Sequence, residues 1–259
     1  MDSENIELPR QTAMQCVLLA SRIILESGGE TYRAEETIAR MGRALGASSV
    51  ESFALPGGVF VTLVYDDGKA YSRNLRLRRT GFQLDRVDAV NAVSRKVAGG
   101  ELDAGQTLDA LLEIASRRSL YKPLLVNLCA GGSGAFFALA FGASWLESGI
   151  AFFCALFAQL VNWLLCMRSP RFALQPFFSS FVCVLTALFC SGLLSLQSPD
   201  LVVAGAIMPL LPGISLTNAV RDTTRGDTLS GVTHAVNAVL VAALLAAGTV
   251  TAHAFYGLF

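Results

Sequence analysis

The sequence predicts an α-helical integral membrane domain of five transmembrane helices, preceded by a soluble α+β cytoplasmic domain. Three observations lead there. Charge is unevenly divided: residues 1–122 hold 16 of the 20 Lys/Arg and 16 of the 20 Asp/Glu, leaving four of each for residues 123–259. The second stretch contains five apolar segments near the roughly 20 residues that a bilayer core requires of a helix. The first contains helical periodicity on either side of three β-rich runs. A mean hydropathy of +0.52 with 15% charged residues suits neither an ordinary soluble protein nor one that is membrane throughout. The two domains are therefore 1–122 and 123–259, and the zero net charge hides the division.

In the first domain, helical periodicity runs from about Leu8 to Glu26 and is broken by Ser27-Gly28-Gly29. A second helix is expected from Glu30 to Leu45, with Ala34, Ile38, Met41 and Leu45 as one buried stripe. Glu30, Arg33, Glu36 and Arg40 fall on or near its other side, where spacing alone favours a solvated face. Strands follow at Val50–Leu55, Val59–Tyr65 and Ala70–Arg79, with Pro56-Gly57-Gly58 and Asp66-Asp67-Gly68 as turns. The arginines of the third strand suit anionic headgroups, attraction of anionic solute, or a charge-protected edge. Helices near Leu84–Val97 and Asp103–Arg118 complete an α+β unit.

The spans are expected at about 124–145, 149–167, 177–197, 201–220 and 232–255. Arg117, Arg118 and Lys122 precede the first, Arg168 and Arg171 follow the second, and Arg221 and Arg225 follow the fourth. The alternate loops carry Glu147 and Asp200 and no base. That alternation places the N-terminus in the cytoplasm and the C-terminus outside. The first residues include Asp2, Glu4 and Glu7 and lack the apolar core of a signal peptide. Pro123 and Pro176 suit first-turn positions, and Trp145 and Tyr256 suit interfaces. Gly134, Ala138 and Gly142, and likewise Ala238, Ala242 and Ala246, form small stripes that suit helix–helix seams.

The fourth span is unlike the others. Pro209, Pro212 and Gly213 lie near its middle, followed by Ser215, Thr217 and Asn218, then Arg221 and Asp222. Proline removes a backbone donor and clashes with the preceding turn, so this helix must kink or break. Broken backbone at membrane depth requires protein or a water-filled cavity around it, and substrate sites of secondary transporters are built that way. A kink that only packs is the plain alternative. A half-helix starting near Gly213–Ser215 points free N–H groups and a positive dipole end inward, which suits a carboxylate. Gln159, Asn162, Thr217, Asn218 and Asn237 are among the few polar side chains inside spans, each a candidate for helix–helix glue as much as for a ligand. No acid or base lies deep in a span; for proton linkage the candidates are Asp222, Asp227 and His234, all near the cytoplasmic face.

Other chemistries lack their residues. The six cysteines have no metal-ligand spacing beside the two histidines and read as small buried hydrophobes. Gly131-Gly132-Ser133-Gly134 lacks the Lys-Ser/Thr ending of a phosphate loop. No cofactor, metal or nucleic-acid site is expected, nor a catalytic residue set.

Several stretches together carry a resemblance: Ser27–Ile38 (SGGETYRAEETI), Leu84–Arg95 (LDRVDAVNAVSR), Pro209–Asp222 (PLLPGISLTNAVRD) and Gly226–Gly231 (GDTLSG). In this order they resemble the bacterial threonine/serine exporter family over nearly the whole chain. Single-chain members carry about ten spans; five spans resemble the larger subunit of the split, two-protein form associated with succinate. The resemblance implies a subunit of an inner-membrane secondary exporter for a small carboxylate metabolite, a succinate-like dicarboxylate or threonine/serine. It also implies a small all-membrane partner supplying the missing spans; a homo-oligomer is also open. Pro212, Gly213, Thr217 and Asn218 are then expected at the substrate, with Arg221 and Asp222 as a cytoplasmic gate or coupling pair. Arg221 is alternatively a partner for a second substrate carboxylate. Glu30, Arg33 and Glu35 match the first stretch and are expected to seal or steer access. The competing readings are a membrane-anchored sensor or scaffold, which needs no double-proline break, and a membrane enzyme, which lacks a catalytic set.

Overall fold

A computed structural model describes residues 2–77, 81–117, 120–168 and 173–258. It is mainly helical, with one three-stranded antiparallel sheet, and the chain divides into two compact units. One comprises Met1–Leu120 with Asn218–His234, the other Tyr121–Thr217 with Ala235–Phe259.

The first unit starts with α1 (Asp2–Glu26), six residues before the expected Leu8, and α2 (Thr31–Ala44). Its sheet comprises β1 (Ser49–Leu55), β2 (Gly58–Val64) and β3 (Ala70–Arg76) in the order β1-β2-β3. The third strand ends at Arg76; the expected Arg78 and Arg79 lie outside the described residues, as does Arg118 of the last helix. Registers of Leu55 with Gly58 and Val64 with Ala70 confirm both hairpins, and Gly68 takes the left-handed φ of 77° that the second turn demands. Alternation sends Val59, Val61 and Leu63 to the core and leaves Phe60 on the open face. Against that core lie Met14, Val17 and Ile24 of α1 and Ala34, Ile38 and Met41 of α2. Full burial of each large aliphatic side chain contributes roughly 1.5–3 kcal/mol. Gly42 of α2 leaves room for Val50 and Leu63, whose atoms lie 2.8 and 3.0 Å from where its Cβ would stand. Helices α3 (Leu84–Ala98) and α4 (Ala104–Ser116) complete this part, α4 beginning in a reciprocal capping box of Asp103 and Gln106.

The α1–α2 turn is also fixed by glycine. Gly28 has φ 81°, and a Cβ there would stand 2.6 Å from the Phe82 ring. The Gly81 and Gln83 N–H groups donate to the carbonyls of Glu26 and Ser27, tying the approach to α3 onto this turn.

The second unit contains α5 (Pro123–Ala140), α6 (Trp145–Arg168), α7 (Gln175–Leu194), α8 (Pro199–Ile207) and most of α10 (Thr228–Tyr256). Four of these, α5, α6, α7 and α10, are long and apolar enough to cross a membrane. A bent pair, Pro199–Leu210 and Gly213–Thr224, makes a fifth when counted as one span. The expected Arg171 of the α6–α7 connection lies outside the described residues. Small residues dominate this core: Ala138, Ala151, Ala155, Ala158, Ala187 and Ala206 are all buried. Gly134 packs against Ala155 and Gly205 against Ala138, each so close that an added Cβ would lie 2.6 Å away. Gly142 does not extend the first stripe, because α5 ends at Ala140 and Gly142 turns the chain with φ 97°. The second stripe is also displaced. Ala238, Leu245, Gly248 and Ala252 are buried on α10, while Ala242 and Ala246 are exposed. Gly248, rather than an alanine, takes the tightest contact, against Phe177 and Ser180 of α7.

Glu147 has a role that its place in a base-free connection did not announce. Only 5% exposed, it accepts hydrogen bonds from the Ser144 N–H and hydroxyl and from the Ser198 N–H, each at 2.8 Å. It thereby caps α6 and holds the α7–α8 connection.

Candidate functional site

The break forms where the prolines require it. Met208–Leu210 is a single 3-10 turn, Leu211 is extended (φ −66°, ψ 141°), and α9 (Gly213–Thr224) begins beyond Pro212. The extended conformation is the one a residue before proline prefers. The two helical pieces are bent by 58°. In the second unit, Pro212 is half-buried, and Gly213 and Thr217 are exposed. Open space surrounds Gly213, and the Thr217 hydroxyl donates to its carbonyl at 3.0 Å. That back-bond occupies the proton of Thr217 and leaves its oxygen able to accept.

From Asn218 onward the chain belongs to the first unit. Asn218, Ala219 and Asp222 form the buried face of α9, with Asn218 6% exposed. Gly226, with φ 93°, ends the helix, and the Asp227 N–H donates to the Asp222 carbonyl at 2.9 Å. A Cβ at Gly231 would meet the Thr223 hydroxyl at 2.1 Å, so glycine lets α10 start close against α9. This hairpin brings His234 Nε2 within 3.8 Å of Asp222 Oδ2.

The head of α2 also adjoins α9. Glu30 is its N-cap residue, yet its carboxylate does not cap. Instead it meets two guanidinium groups: Arg33 Nε at 2.9 Å and Arg221 Nη1. Arg33 Nε also donates to the Tyr32 hydroxyl at 3.3 Å, and Arg225 stacks on the Tyr32 ring, 3.6 Å from its centroid. Glu35 faces the sheet, where its carboxylate accepts the Ala54 N–H at 2.7 Å. Burial pushes the Glu35 carboxyl above its ordinary range, with nearby Asp227 adding to the rise and the Ala54 N–H opposing it.

Glu30, Arg33, Arg221 and Asp222 thus gather around the α2–α9 contact, while Pro212, Gly213 and Thr217 lie at the break. Glu30 and Arg33 are not a merely solvated face. Tyr32, Thr31 and Arg225 belong to the cluster without having been singled out. Their signal was position: two lie inside Ser27–Ile38, and Arg225 lies one turn beyond Arg221. Among the described residues no group of three or more His, Cys, Asp or Glu is arranged to hold a metal ion.

Four long apolar helices, with a fifth broken at paired prolines, define a multi-pass membrane protein of helical type. The chain belongs to the ThrE family, described as "Putative threonine/serine exporter", which it matches over residues 15–256. It is 28% identical to the "Probable succinate transporter subunit YjjP" of Escherichia coli (strain K12), over 100% of this chain and 98% of that protein. Identity to the protein of the same description from Klebsiella aerogenes is also 28%, over 95% and 93% of the two chains. The description of both relatives as subunits implies a partner for those proteins. No solved structure matches the chain.

Proposed function

We propose that the chain is one subunit of a secondary transporter that exports a small carboxylate metabolite across the bacterial inner membrane. The observation that carries the reading is the 58° break at Leu211–Pro212 in an otherwise apolar span. Membership of an exporter family supports transport, and the names of the two relatives favour a succinate-like dicarboxylate over threonine or serine. Pro212, Gly213, Thr217 and Asn218 bind the substrate, which meets the opened backbone and the start of α9. The α2–α9 contact is the cytoplasmic gate, with Glu30, Arg33, Arg221 and Asp222 as its charged parts and Glu35 bracing α2 on the sheet. Residues 1–122 lie in the cytoplasm and the C-terminus in the periplasm, as the alternation of basic connections supports. A small all-membrane partner supplies the remaining spans. Transport is driven by existing gradients, with no catalytic step in this chain.

Reconstitution tests this. Proteoliposomes loaded with succinate, threonine or serine are assayed with this chain alone and with its membrane partner. Efflux of one solute only when both chains are present is the expected result. Efflux with this chain alone removes the need for a partner, and no efflux from correctly oriented protein leaves a sensor or scaffold.

A further inference from the structure

The geometry points to a proton-binding site formed by Asp222 and His234 beneath Thr31, whose occupancy holds α2 against α9. Asp222 is 0% exposed, and neither of its carboxylate oxygens has a hydrogen-bond partner. The Thr31 hydroxyl is buried and acts on Asp222, but closes no hydrogen bond of normal geometry. His234 Nε2 stands 3.8 Å away, beyond hydrogen-bond reach. Buried polar groups are almost always paired, so an enclosed carboxylate without a partner requires a reason.

The surrounding charges supply it. Glu30 at the N-cap of α2 and Asp227 in the α9–α10 turn are both acidic and both act on Asp222. The cations beside it in the chain are engaged elsewhere, Arg221 of α9 with Glu30 and Arg225 just beyond α9 with the Tyr32 ring. A bare anion here is opposed by burial and by its neighbours. One proton on the carboxylate removes that opposition by making the neutral acid. With no part of Asp222 exposed, no larger ligand reaches it while α9 stays in place.

Losing the proton leaves an anion that only water can stabilise, and water enters only when α9 parts from α2 and α10. The packed arrangement therefore holds the proton more tightly than the parted one, and rising pH favours parting. The same movement separates Glu30 from Arg221, because each adjoins one member of the site, Thr31 or Asp222. Proton occupancy and the gate are thus one equilibrium. This inference rests on the gate reading above.

Hydrogen exchange of the intact chain in lipid nanodiscs tests it, followed in peptides covering Thr31–Ala44 and Gly213–Thr224. Rates are corrected for the intrinsic effect of pH. Parting that releases one proton shifts its equilibrium by up to about tenfold per pH unit. Corrected exchange in both helices should therefore rise between acidic and alkaline buffer. Asp222→Asn should stay protected with no pH dependence. His234→Gln keeps the acid and should move the dependence along the pH axis, an independent test should the first variant misfold. A flat wild-type profile, Asp222→Asn as steep as wild type, or His234→Gln superimposable on wild type overturns the site. No transport is measured, so failure of the exporter reading would be seen separately.

Discussion

Glu30 and Arg221 form an ion pair across a sequence separation of 191 residues, joining the N-cap of α2 to the last turn of α9. Arg221 is 43% exposed at its side chain and Glu30 13%, with Arg33 on the second carboxylate oxygen. Exposed pairs of this kind add little to stability, so the pair matters chiefly for what it holds in place.

A double-mutant cycle separates these roles. Glu30→Gln and Arg221→Gln should each slow export by about tenfold, the equivalent of roughly 1.4 kcal/mol of lost coupling. Their combination should be no slower than either alone. Thermal midpoints should move little. Simple multiplication of the two rate effects would show that the residues act separately.

Asn218→Ala should reduce export without preventing membrane insertion. The side chain is buried, so part of the effect is structural. Asn218→Asp preserves size, and recovery of stability without recovery of export would assign Asn218 to substrate. Unchanged efflux in Asn218→Ala removes it from the site.

Gly205→Val should disrupt the seam between α5 and α8. A Cβ at Gly205 already meets the Ala138 backbone nitrogen at 2.6 Å, which no rotamer change relieves. Overpacking of this kind costs about 1–3 kcal/mol. The expected result is a lower thermal midpoint in detergent. Gly213→Ala should leave that midpoint close to wild type, since Gly213 has open space around it.

Glu35 predicts a pH dependence of a different origin from that of Asp222. Its carboxyl is raised by burial, so the folded chain keeps this proton after the unfolded chain has lost it. Stability should therefore fall as pH rises from the ordinary glutamate value of about 4.3 through the raised value. Glu35→Gln retains an acceptor for the Ala54 N–H and should flatten that decline. Midpoints measured across the acidic range check it.

Much of this was legible in the residues because the rules involved are local. Pro209 and Pro212 have no donor to offer, so the break in the fourth span follows wherever the chain is placed. Alternation at Val59, Val61 and Leu63 and the Asp66-Asp67-Gly68 turn specify a hairpin without reference to anything distant. Apolar length alone marked the spans, although their ends moved: Gly142 ends α5 early, and α10 starts four residues before the expected 232. Tertiary structure decided what composition leaves open. Which small residues form seams depends on which helix face meets a neighbour, so Ala238 and Gly248 are buried while Ala242 and Ala246 are not. Spacing made Glu30 and Arg33 a solvated face, because periodicity registers neighbours three or four positions away and not an arginine 191 positions on. The same limit hid the enclosure of Asp222. A carboxylate's surroundings are set by packing from α2, α9 and α10 together, and no one of these stretches encodes it.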